Sequence, residues 1–158
     1  MALLKQDIKK ALKGVVGTRF WISKTITSSG ITTAAQDLSD VATGRLAIIN
    51  AVCKTDSTGL AGGTNFVLST TNAKGTVNFA VETVANLGAS ITKSFDGPAA
   101  GDTTTSDCGY TVTQSRTILE SGKKIQYNTT GSAGTGAGTV DVFILLERVD
   151  ENALVRGI

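Results

Sequence analysis

Along RFWISKTIT, from Arg19 to Thr27, apolar and polar positions follow a period of two. Phe20, Ile22 and Ile26 fall on one face, Trp21, Ser23 and Thr25 on the other. That period belongs to a β-strand with one side buried. It returns down the chain. RLAIINAVCK (45–54) is apolar on both faces, which predicts a central strand. NFVLSTT and TVNFAVETVA predict two strands joined by a tight turn at Asn72-Ala73-Lys74-Gly75. Within the second, Val77, Phe79 and Val81 are assigned to the core, with Asn78 and Glu82 facing water. ASITKSF adds a strand, YTVTQSRTILE and KKIQYNTT a second hairpin about Ser121-Gly122, and Val140 to Val149 the last strand. Residues 31–44 read as irregular, with one short helical turn around Gln36-Asp37-Leu38. About eight strands with turn signals roughly every ten residues indicate an all-β fold, an antiparallel β-sandwich of jelly-roll-like type.

One segment breaks this rule. Leu4, Ile8, Leu12 and Val15/Val16 recur at helical spacing beside Lys5, Lys9 and Lys13, and Gly14 and Gly17 supply the stop. The pattern predicts a short N-terminal amphipathic helix of about three turns. The domain organisation expected is therefore a basic helical arm (1–17), one β-sandwich domain (18–150) and a C-terminal tail (151–158). The formal charge of +2 is split: residues 1–24 carry six cations against Asp7, a net +5, leaving −3 for the rest. The apolar stripe suits packing on the chain's own domain or on a neighbouring subunit. A membrane-surface helix or nucleic-acid arm is the sharper alternative, disfavoured because arginine clusters are absent and no aromatic precedes Phe20. Leu4, Ile8, Lys9, Leu12 and Lys13 are the candidate partner contacts. Trp21, opposite the buried face of its strand, is the candidate anchor for a subunit contact.

Candidate chemistry is thin. GSAGTGAG (131–138) invites a phosphate-loop reading, but such a loop opens a helix and ends in lysine. Here Thr139-Val140-Asp141-Val142 begins a strand, so the run reads as a mobile connection between paired strands. The 158 residues include no histidine, which removes the usual general base and the commonest metal ligand. Paired carboxylates remain the one catalytic option, with Glu82, Glu120 and Glu147 as candidates on solvated strand faces. Asp96 to Asp107 has three carboxylates at the wrong spacing for a calcium loop. The expectation is no catalytic residue, no metal and no cofactor.

Cys53 sits in an apolar run as a buried thiol and Cys108 in a polar turn; a bridge between them stays open. Asn128-Thr129-Thr130 matches a glycosylation acceptor, discounted because no secretion signal is recognised. No segment has the ~20 apolar residues of a membrane span, so synthesis in a cytoplasm is expected.

The stretch RTILESGKKIQYNTTGSAGTGAGTVDVFILLERVDE resembles the end of small virion proteins of tailed bacteriophages, often jelly rolls or related sandwiches. The resemblance covers roughly the last 40 residues and the general style of the remainder. It implies a head decoration or stabilisation protein of the virion, made in the host cytoplasm. Its partners would be itself, as a symmetric oligomer such as a trimer, and a major capsid or other virion protein. Small-molecule, nucleic-acid and membrane partners are not expected. The alternative is a tail, fibre or adhesin-type module that binds a receptor or carbohydrate.

Overall fold

Alternation sets the strands, and the pairing of the first with the last sets the fold. The computed structural model describes residues 15–72, 75–96 and 117–158. Among them are nine strands: β1 (Arg19–Thr27), β2 (Gln36–Asp37), β3 (Leu46–Thr55), β4 (Asn65–Asn72), β5 (Gly75–Thr83), β6 (Thr92–Asp96), β7 (Ile118–Leu119), β8 (Ile125–Thr129) and β9 (Thr139–Arg148). The expected helix, with Leu4, Ile8, Lys9, Leu12 and Lys13, lies outside the described residues, as do Cys108 and the connection after Asp96.

All pairings are antiparallel and nested. β1 pairs with β9, β2 with β8, β3 with β6 and β7, and β4 with β5. A chain paired this way is one long hairpin. It is then rolled up, because β9 also meets β3 and β8 also meets β4. The result is two sheets, ordered β1-β9-β3-β6 and β2-β8-β4-β5, with β7 sharing the flank of β3 occupied by β6. Counting β6 and β7 as one position gives eight positions, the jelly roll expected from the sequence.

The core fills the space between the sheets. Ile22 and Ile26 of β1, Ala51 and Cys53 of β3, and Val140, Val142, Ile144 and Leu146 of β9 come from the first sheet. Phe66, Leu68, Phe79, Ile125 and Tyr127 come from the second. Each large apolar side chain buried there contributes roughly 1.5–3 kcal/mol before ordering costs.

Four local expectations change. Gln36-Asp37 is not a helical turn but the strand β2, paired with Tyr127 and Gln126. Ser121-Gly122 does turn the chain, with Lys123 N–H donating to Glu120 O (3.1 Å). The strands it joins lie in different sheets, so it is a crossover and not a hairpin. Glu82 is not solvated: it is 4% exposed and stands opposite Phe66 on the inner face. A bulge causes this, since the register slips between Leu68 and Ser69, leaving Phe79 as the extra residue and reversing the phase of β5.

The glycine run is the fourth change. It joins strands of different sheets, and it is pinned in place. Ser28 N–H donates to Gly138 O (2.7 Å), Gly134 N–H to Ile31 O (2.9 Å) and Thr135 N–H to Ala61 O (2.7 Å). A Cβ on Gly138 would stand 1.7 Å from Gly59 O. The glycine there lets two backbones touch. The last residues are also packed, with Ala153 and Val155 in the core. Thr43 N–H donates to Leu154 O (2.9 Å) and Asp40 N–H to Arg156 O (2.8 Å), which seats this segment beside residues 38–43.

Candidate functional site

The solvent side of the first sheet is the place where sequence and structure converge. In antiparallel sheets, residues in register share a face. Trp21, Leu145 and Asn50 form one row, Ser23, Phe143 and Val52 the next, and Thr25, Asp141 and Lys54 a third. These are the residues left over when Ile22, Ile144 and Ala51 turn inward. Trp21 is 53% exposed, as the alternation of β1 predicts. Phe143, Leu145 and Val52 are half-buried around it. The sandwich has its core on the other side, so this apolar centre does not serve the packing of the two sheets.

Polar groups rim the centre. Arg19 Nε donates to Glu147 Oε2 (2.6 Å) beyond the Trp21 row. Thr25 hydroxyl donates to Asp141 beyond the Phe143 row, and the Asn50 amide donates to Ser94 Oγ (3.2 Å) toward β6. The face thus has an apolar middle with one exposed aromatic and a hydrogen-bonded border. Sequence reading placed Trp21 on this outer face but did not single out its neighbours. Their signal was present: β9 is apolar at odd as well as even positions, and a strand needs only one apolar face to join a two-layer core.

Glu82 and Glu147 do not meet. Glu82 points between the sheets, where Oε1 accepts from Thr83 N–H (2.9 Å) and the Asn86 amide (2.8 Å), and Lys93 Nζ lies 3.9 Å from Oε2. Glu147 points out of the opposite sheet to Arg19, and Glu120 follows β7 beside Arg45. Catalysis by paired carboxylates requires two of them within about 5–10 Å across one cleft, and Glu82 and Glu147 face different ways. Cys53 is a free thiol, and burial, with the charge of Glu82 adding to it, pushes it up to about 12. Such a thiol is inert at neutral pH. Among the described residues no group of three or more His, Cys, Asp or Glu is placed to hold a metal. No helix among them is long and apolar enough to cross a membrane.

A second polar group was not foreseen. Lys24, on the inner side of β1, donates from Nζ to Asp37 O (2.8 Å) and lies 5.2 Å from the centre of the Tyr127 ring. Lys124 pairs with the Asp37 carboxylate, which also accepts from the Gln126 amide (3.1 Å). The Lys124 hydrogen bond, then that of Gln126, lowers the Asp37 pKa. These contacts tie the edge of one sheet to the edge of the other, and every polar member has a protein partner.

No family model matches the chain, and no curated protein matches it. Two solved structures of infectious bursal disease virus, of the Gx and Gt strains, align at 16% and 15% identity with TM-scores of 0.23. The alignments cover 90% of this chain and 40% of theirs, so the chain spans about two-fifths of their length. A likeness at that score assigns neither fold nor function.

Proposed function

We propose that this protein is a non-enzymatic structural component of a virus particle, a head decoration or stabilisation protein of the tailed-bacteriophage type. Copies of it associate with one another and bind the shell by burying apolar surface. The observation that carries this reading is the row of Trp21 and Leu145 beside Phe143 and Val52, on the solvent side of a sandwich whose core is already complete. The jelly roll is common among capsid proteins, which agrees with the reading without deciding it. The resemblance of the C-terminal stretch to phage virion proteins points the same way. The N-terminal arm, with Leu4, Ile8, Lys9, Leu12 and Lys13, adds a second apolar stripe with cations beside it.

Sedimentation of the purified chain, alone and mixed with shells stripped of accessory proteins, tests the proposal. The expected result is a concentration-dependent oligomer that co-sediments with shells. Replacing Trp21→Ala should weaken association by at least about 2 kcal/mol, roughly thirtyfold, as an anchor does. A chain that stays monomeric at every concentration and ignores shells, or one that binds glycans or turns over a glycoside, would overturn it.

A further inference from the structure

We propose that Lys93 and Asn86 become joined by an isopeptide bond, formed with loss of ammonia and catalysed by the buried Glu82. The observation is the arrangement around that one carboxylate. Oε1 accepts from the Asn86 amide (2.8 Å), and Oε2 lies 3.9 Å from Lys93 Nζ. An amine and a carboxamide are thus held at the two oxygens of a single acid. The strands behind them, β5 and β6, are the end strands of their two sheets. Lys93 is in register with Cys53, whose side chain is fully buried between the sheets, so the lysine leans inward too. The β4–β5 bulge turns Glu82 inward to meet it.

The chain between the two residues is fixed. Leu60 N–H donates to Leu87 O (2.9 Å), Ile91 N–H to Thr55 Oγ1 (2.9 Å) and the Thr55 hydroxyl to Gly88 O (2.5 Å). Asn86 and Lys93 therefore stand at the ends of a pinned loop. The approach is left to the lysine, whose four-carbon stem is flexible. Reacting groups held this way react as one molecule, without the entropy loss of an encounter.

The chemistry balances. Glu82 takes a proton from the Lys93 ammonium and leaves the neutral amine, which is the nucleophile. Nζ attacks Cγ of Asn86, forming the Nζ–Cγ bond as the carbonyl electron pair moves onto oxygen. Glu82 delivers its proton to Nδ2, the nitrogen already hydrogen-bonded to it. The carbonyl re-forms, the Cγ–Nδ2 bond breaks and ammonia leaves. The surplus proton on Nζ passes through Glu82 to the ammonia, which departs as ammonium. One ammonium and one carboxamide have become one amide and one ammonium, with Glu82 restored. Asn86 is exposed, so the product has a direct way out. The bond closes the loop 86–93 and staples β6 to the segment that follows β5, which restricts the unfolded chain. It forms once per chain and does not depend on the assembly reading above.

Tryptic mapping of the purified, denatured chain by mass spectrometry tests the proposal. Unlinked, the chain gives separate peptides Gly75–Lys93 and Ser94–Arg116. Linked, Lys93 resists trypsin, and a single peptide Gly75–Arg116 appears, lighter than its sequence mass by one ammonia. Glu82→Gln and Lys93→Arg should both restore the full mass, and Glu82→Gln should restore cleavage after Lys93, with thermal melts confirming that each variant folds. If Glu82→Gln does not fold, Lys93→Arg carries the comparison, because it keeps a cation beside Glu82 but cannot form the amide. A parent chain of full mass that is cut after Lys93 overturns the inference. So does an ammonia loss that survives in Lys93→Arg, the mark of a ring closed on Asn86 alone. A linkage that still forms in Glu82→Gln removes Glu82 as its catalyst. None of these results touches shell binding, which its own sedimentation assay decides.

Discussion

At the scale of single residues, most of the polar groups serve to hold loops. Asp56 is the clearest case. Oδ1 accepts from Thr58 and Gly59 N–H (2.8 Å each), and Oδ2 accepts from Thr139 N–H (2.9 Å) and its hydroxyl (3.0 Å). The bonds from Gly59 and Thr58 lead in lowering its pKa below 3.8. Asn has one carbonyl oxygen where Asp56 has two acceptors, so Asp56→Asn should destabilise the fold, read as a lower urea midpoint. Glycine positions separate just as sharply. Gly138→Ala drives a Cβ into the Gly59 carbonyl and should cost about 1–3 kcal/mol or more. Gly30→Ala, with nothing within 4 Å, should stay within about 0.5 kcal/mol of the parent. In a Cys108→Ser background, the buried Cys53 should resist thiol reagents at pH 8 until urea unfolds the chain.

At the scale of elements, the two ends of the described chain behave differently from what their composition suggests. The segment after Asp150 reads as a short tail, yet it buries Ala153 and Val155 and lends carbonyls to Asp40 and Thr43. Removing residues 153–158 should lower stability by more than ~2 kcal/mol, from lost valine burial and orphaned backbone donors. Removing residues 1–14 should leave the sandwich folded, read as a retained cooperative melt, since Gly17 N–H donates to Arg148 O (2.8 Å) and Arg148 N–H to Thr18 O (3.0 Å), which hold the start of β1 to β9 without them. Strands with clean alternation were legible from sequence: the two faces of β1 fall as RFWISKTIT predicts, and the β4–β5 turn closes at Asn72 opposite Gly75. Elements whose identity comes from a partner were not legible. β2 is only two residues long and owes its extended form to β8, and no local pattern announces such a strand. The bulge that turned Glu82 inward is a property of the β4–β5 pair, invisible in either strand alone.

At the scale of the whole molecule, acid should be the weak side. Asp37, Asp56 and Asp150 all have lowered pKa values, held chiefly by Lys124, by the Gly59 N–H and by Arg45 respectively. Each binds a proton less readily folded than unfolded. The stability it contributes is present in full above the ordinary value of 3.8 and is lost as the pH falls below it toward the folded value. With no histidine to titrate between pH 5 and 8, thermal melts should be flat across that range and drop steeply below about pH 4. The drop should be shallower in Asp56→Asn.

The amino-acid order alone determined where the long alternating strands lie and, away from the β4–β5 bulge, which of their faces are greasy, because a period of two is a local property of backbone geometry. It also placed Trp21 on the solvent side and left no histidine for acid–base work. Only the tertiary structure decided which strands pair and where the carboxylates point. It likewise decided that the glycine run crosses between sheets with its backbone pressed against Gly59. Those outcomes depend on contacts between residues far apart in the chain, and no local spacing encodes them. The apolar row of Trp21, Leu145, Phe143 and Val52 needed both: alternation to turn each side chain outward, and the rolled hairpin to bring three strands side by side.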